Sequence, residues 1–106
     1  MANYQTTLDC SVSELADYIK NAKNSMGHHY FGGNSELSNE LQTKAGDTDV
    51  VVLTYEKTFG RFISFISIVL ISNNKNCTTV IAQAGGMFGK EKIIKLFKDL
   101  IQKKGE

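Results

Sequence analysis

The sequence predicts an α+β fold of two layers, a curved antiparallel sheet of about five strands in the order β-α-β-β-β-β-α with two helices packed on one face. Three observations carry this. Residues 90–104 place Ile93, Ile94, Leu96, Phe97, Leu100 and Ile101 at helical spacing on one wide apolar face that has to be buried. Residues 49–84 hold three strongly apolar strand patterns joined by connections of a few residues, which makes those strands antiparallel neighbours. Gly85, Gly86 and Gly89 stand between the last strand and the helix, where glycine permits a tight corner and lets the helix fold back on the sheet. With 106 residues and 42% hydrophobic content, the chain is expected to form a single domain spanning 1–106.

In chain order, Tyr4 to Cys10 alternates Tyr4, Thr6, Leu8 and Cys10 against Gln5, Thr7 and Asp9, the period of a half-buried strand. Ser11-Val12-Ser13-Glu14 has the form of a capping box, so a helix starts at Ser11. Val12, Leu15, Ala16, Ile19, Ala22 and Met26 trace its buried stripe, and Gly27 is the expected stop. His28 to Asn34 reads as a loop from its glycines. Glu36 to Lys44 alternates weakly around Leu37, Leu41 and Thr43, as an exposed or edge strand would. Gly46-Asp47 turns the chain into Val50 to Phe59, with Val51, Leu53, Tyr55 and Phe59 on one face and Thr54, Glu56 and Thr58 on the other.

Phe62 to Ile71 differs, because both of its faces are apolar apart from Ser64 and Ser67. A strand covered on both sides reads this way. Ser72 to Asn76 is a polar turn, and Cys77 to Ala84 returns as a strand rich in β-branched residues. Helices cover only one face of an open sheet, so the second apolar face of Phe62 to Ile71 needs another partner. Three fit: strong curvature of the sheet around the last helix, a symmetric dimer packing sheet on sheet, or a cavity for an apolar ligand.

Composition bounds the function. The start, Met1-Ala2-Asn3-Tyr4, has no charged and apolar signal-peptide pattern, and the longest apolar stretch is too short to span a bilayer. Cys10 and Cys77 lie far apart without metal-ligand spacing, which suits a reducing compartment. A cytoplasmic protein is therefore expected, with no membrane partner. The formal charge of +1 hides an asymmetry, since residues 1–56 hold eight acids against three lysines and residues 57–106 hold nine bases against three acids. Lys90, Lys92, Lys95, Lys98, Lys103 and Lys104 make the last helix basic on its polar side, but interleaved aromatics are missing and Arg61 is the single arginine. No nucleic-acid partner is expected.

Motifs for chemistry are sparse. Gly85-Gly86-Met87-Phe88-Gly89-Lys90 follows a strand and opens a helix, which makes Gly85, Gly86, Gly89 and Lys90 a candidate anion site. The outer glycines are one residue too close for a P-loop, and Glu91 stands where that motif needs Ser or Thr. His28 and His29 are adjacent and so diverge on any regular element, with no HxH or HxxxH spacing for a metal. No nucleophile elbow or paired base accompanies the serines and cysteines. No catalytic residue, metal ligand or cofactor is assigned.

Tyr55-Glu56-Lys57, the Phe62 to Ile71 run, and Ala82-Gln83-Ala84-Gly85-Gly86 with Phe88 beyond it resemble a family of short bacterial proteins, domain of unknown function 6054. Tyr4 to Ile19 looks similar too, so the resemblance spans most of the chain. It implies no functional residue. The element order also resembles a reduced helix-grip domain of the START and birch-allergen kind, which implies a last helix lying across a curved sheet with lipidic ligands between them.

The expected function is that of a non-enzymatic protein that self-associates through the sheet face its helices leave bare. The alternative is a binding module that holds a small apolar ligand between the C-terminal helix and the sheet. Phe65, Val69, Phe97 and Ile101 are the candidate pocket or interface residues for these readings.

Overall fold

The computed structural model describes residues 2–22, 35–86 and 88–105. Its elements run β1 (Ala2–Leu8), α1 (Val12–Lys20), β2 (Ser35–Ala45), β3 (Thr48–Phe59), β4 (Phe62–Asn74), β5 (Cys77–Gly86) and α2 (Lys90–Lys104). The strands form one five-stranded sheet in the spatial order β1-β5-β4-β3-β2. Every neighbouring pair is antiparallel. The α+β class and the element order expected from the sequence are both present.

Three hairpins build β2 to β5, each with a two-residue turn: Gly46-Asp47, Gly60-Arg61 and Lys75-Asn76, the last shorter than the Ser72 to Asn76 turn expected from the sequence because Ser72 to Asn74 pair on with β5 as part of β4. Gly46 takes φ +67 at the first central position, which a side chain would resist and which matches the twist of the flanking strands. In the third turn the Asn76 amide donates to Asn74 Oδ1 at 2.9 Å, so an asparagine side chain closes the corner. β1 then pairs with β5 in unbroken register from Ala2 opposite Ala84 to Leu8 opposite Thr78.

The alternation read in the sequence sorts side chains between the two faces. Val51, Leu53 and Tyr55 of β3, Ile66, Ile68 and Leu70 of β4, and Val80, Ala82 and Ala84 of β5 are buried on the face that carries the helices. α1 adds Val12, Leu15, Ala16 and Ile19, and α2 adds Ile93, Phe97, Leu100 and Ile101, to one continuous core. α2 packs on β5, β1 and β4, while α1 packs on β3 and β4. The helices are tied to each other as well. Tyr18 Oη donates to the Leu100 carbonyl at 2.9 Å, and Lys104 Nζ meets Glu14 Oε1 at the same distance.

Several boundaries differ from the sequence reading for identifiable reasons. β1 ends at Leu8 rather than Cys10, because Thr78 Oγ1 donates to the Cys10 carbonyl at 2.7 Å and the chain bends there into α1. Ser11 is the N-cap as expected, accepting from the Glu14 amide at 3.1 Å. α1 stops at Lys20, short of the expected Gly27: the Asn21 side chain donates to the Asp17 carbonyl at 2.9 Å and caps the helix early. Met26, Gly27, the His28 to Asn34 loop and Met87 lie outside the described residues. β5 runs on through Gly85 and Gly86, so two of the corner glycines belong to the sheet.

Candidate functional site

The side of the sheet away from the helices is the candidate site, and the strand register assembles it row by row. Val52 lies between Leu41 and Val69, and Val69 is opposite Ile81, which is opposite Gln5. The adjacent row runs Thr43, Val50, Ile71, Thr79, Thr7, and on the other side Asn39, Thr54, Ser67, Gln83, Asn3. Beyond that row Phe65 stands between Glu56 and Gly85. The centre of the face is thus Val50, Val52, Val69, Ile71 and Ile81, all half-buried, and its rim on β1 is the exposed amides and hydroxyl of Asn3, Gln5 and Thr7. Among the described residues, Leu41 at 52% and Ile63 at 50% are the most exposed large apolar side chains, and both belong to this face. No charged side chain interrupts the three central rows.

The helices cover only one face of β4. β4 alternates buried Ser64, Ile66, Ile68 and Leu70 with half-buried Phe65, Ser67, Val69 and Ile71. Only the first set meets the helices. The second set stays only half-buried within the single chain.

The four sequence candidates fall on opposite faces. Phe65 and Val69 lie on the open face, whereas Phe97 and Ile101 are fully buried beneath α2 in the core. Phe97 meets Tyr4 edge-on, with ring centroids 6.3 Å apart and planes at 74°. One site therefore does not contain all four.

The glycine corner has a structural explanation. A Cβ on Gly86, at φ +118, would sit 2.5 Å from Ser64 Cα and 2.6 Å from the Ile63 carbonyl oxygen, so β4 and β5 approach too closely for any side chain. Ser64 Oγ donates to the Phe88 carbonyl and pins the corner to β4. Ser64 interrupts an otherwise apolar run, and spacing alone did not mark it as this tether. Gly89 is the N-cap of α2 at φ +68, and no side chain caps the helix there. Glu91 already places a carboxylate in the first turn of α2 beside Lys90. That carboxylate occupies the position where an anion would be favoured.

Titratable groups are sparse at depth. Burial, then the Glu14 charge, pushes the Cys10 thiol up. Burial, with the Glu40 charge second, pushes the Tyr55 phenol up to about 12. A hydrogen bond from Lys20, at 2.8 Å, holds the Glu40 carboxyl below its ordinary value. None of these groups belongs to the open face. A cleft of about 260 Å³ lies between α1 and the β2–β3 pair, lined by polar side chains such as Ser13, Asp17, Lys20 and Gln42 and by apolar ones such as Val12 and Ala16. Among the described residues, no three His, Cys, Asp or Glu side chains are grouped to hold a metal ion, and no helix is long and apolar enough to cross a membrane. His28 and His29 lie outside the described residues.

Comparison of the chain with protein-family models, curated proteins and solved structures returns no match.

Proposed function

We propose that this chain is a non-enzymatic cytoplasmic protein that self-associates by packing the open faces of two sheets together. The observation that carries the reading is the in-register block of Val50, Val52, Val69, Ile71 and Ile81 on the face the helices leave bare, with Phe65 beyond the polar row of Thr54, Ser67 and Gln83. A sheet of five strands spaced about 4.8 Å apart, each about ten residues long, offers roughly 800 Å² per copy. Two such faces come to about 1,600 Å², the size of a standard specific interface. Side chains from facing sheets interdigitate about 10 Å apart in sandwiches of this kind. Two unpaired cysteines, Cys10 and Cys77, suit a reducing compartment. We carry the resemblance to the small bacterial family into this proposal, and it adds no functional residue.

The test is sedimentation of the full chain across a wide concentration range, beside Val69→Lys. The unmodified chain is expected to form a complex held by this face, and lysine at the centre of that face is expected to weaken it strongly while leaving the fold intact. A strict monomer at millimolar concentration refutes the reading. Native mass spectrometry decides against the alternative, a ligand held between α2 and the sheet, if no small apolar molecule is retained. That alternative requires space beside Phe97 and Ile101, both of which are fully buried among core side chains.

A further inference from the structure

We infer that the free edge of β1 is a strand-addition site for β1 of a second copy, paired antiparallel about a two-fold axis through Gln5. This interface is separate from the face-to-face packing proposed above and does not depend on it.

The two edges of the sheet are built differently. β2 occupies one edge and carries Glu36, Glu40 and Lys44 along its length. Its register shifts between Leu37 and Asn39, and Ser38 Oγ donates to the Thr54 carbonyl at 3.2 Å across that irregularity. Charge and a bulge are the devices that keep an edge strand from templating another chain. β1 occupies the opposite edge and has neither. Its seven residues, Ala2-Asn3-Tyr4-Gln5-Thr6-Thr7-Leu8, include no charge, no proline and no glycine, and its register against β5 is unbroken. One side of β1 is bonded to β5, and no strand of the described residues lies on its other side.

Residues of β1 opposed about Gln5 are chemically compatible with one another. A two-fold axis at Gln5 sets Tyr4 opposite Thr6 and Ala2 opposite Leu8 on the helix side, an aromatic against a β-branched residue and two apolar side chains. On the open side it sets Asn3 opposite Thr7 and Gln5 opposite its own copy, three pairs of exposed groups able to donate and accept. No like charges meet anywhere in this register, which is why a second copy, rather than a strand of another protein, is the occupant chosen. An isologous contact of this kind closes on itself. Combined with the face contact it takes the assembly past a dimer.

The experiment uses the full chain carrying Val69→Lys, so that the edge is read without the face. To it are added Asn3→Lys, Gln5→Lys and Thr7→Lys together, or the same three positions changed to Glu; all three are exposed, and circular dichroism confirms folding. The Val69→Lys chain is expected to remain dimeric by native mass spectrometry. Each charged triple, which places three like-charge pairs across the axis, is expected to weaken that dimer roughly tenfold or more. An equimolar mixture of the two triples is expected to restore it as a heterodimer. A monomeric Val69→Lys chain, charged triples that pair as well as their parent, or a mixture that stays monomeric each overturns the edge site. A wild-type dimer that ignores Val69→Lys but is lost in the charged triples keeps the edge site and removes the face reading.

Discussion

Replacing Phe97 with alanine tests the packing of α2 on the sheet. The ring is 0% exposed, lies in the core with Leu100 and Ile101, and meets Tyr4 edge-on at 6.3 Å. Deleting a fully buried phenylalanine ring removes its transfer free energy and leaves a cavity, a combined loss of about 3–5 kcal/mol. The lost edge-to-face contact lies within that range, at about 0.5–1.5 kcal/mol. A domain of this size has roughly 5–15 kcal/mol in total, so Phe97→Ala removes at least about a fifth of it. With a urea dependence of about 1–3 kcal/mol per molar, the unfolding midpoint followed by circular dichroism falls by about 2 M. Leu37→Ala, at 40% exposure, is the control and is expected to stay within about 0.5 kcal/mol. A loss below about 1.5 kcal/mol for Phe97→Ala refutes the reasoning. It means the ring lines a space that the protein fills or collapses, as the wall of a ligand pocket does.

Gly86→Ala is expected to cost more than about 2 kcal/mol, because a side chain there meets both an unfavourable φ of +118 and the β4 backbone at 2.5 Å. Gly46→Ala, at φ +67 in open space, is expected to cost only about 1 kcal/mol, and equal losses in thermal unfolding refute the close-approach argument. Tyr55 has a folded pKa of about 12 against an ordinary value of 10.0, so the folded protein keeps a proton that the unfolded chain releases. Its contribution to stability is complete below about pH 10 and lost as pH rises toward 12, by up to about 1.4 kcal/mol per pH unit. Tyr55→Phe should therefore show a flatter alkaline fall in urea stability, and identical slopes count against the buried phenol. Cys10 is 8% exposed with its thiol pushed up, while Cys77 is partly exposed, so a thiol reagent should label Cys77 first and Cys10 only on unfolding. Equal rates contradict the burial of Cys10.

Much of this architecture is legible along the chain because it depends on spacing over a few residues. The helical repeat of Ile93, Phe97, Leu100 and Ile101 marks α2, and all four are buried. Ile94 and Leu96 share its apolar stripe but are only half-buried, because a helix resting on a sheet contacts it along a narrower band than the stripe. The weak alternation from Glu36 to Lys44 marks an edge strand, and β2 is one. The candidate site was partly legible. Phe65 and Val69 were singled out from the doubly apolar β4, but Val50, Val52 and Ile81 join them through strand pairing and not through their own neighbours in sequence. Pairing them with Phe97 and Ile101 failed because periodicity says that a face is apolar without saying which faces meet.

The sequence by itself determined the element types, the short antiparallel connections between the last three strands and the existence of a second apolar face, since period, turn chemistry and capping act between residues a few positions apart. Tertiary structure decided that β1 lies beside β5, that α2 rests on β5, β1 and β4 while α1 rests on β3 and β4, and that Ser64 tethers the corner before α2. Those outcomes bring together residues up to 82 positions apart, as in Ala2 with Ala84, and are set by which overall arrangement buries the most apolar surface with its hydrogen bonds satisfied. No local pattern encodes that comparison.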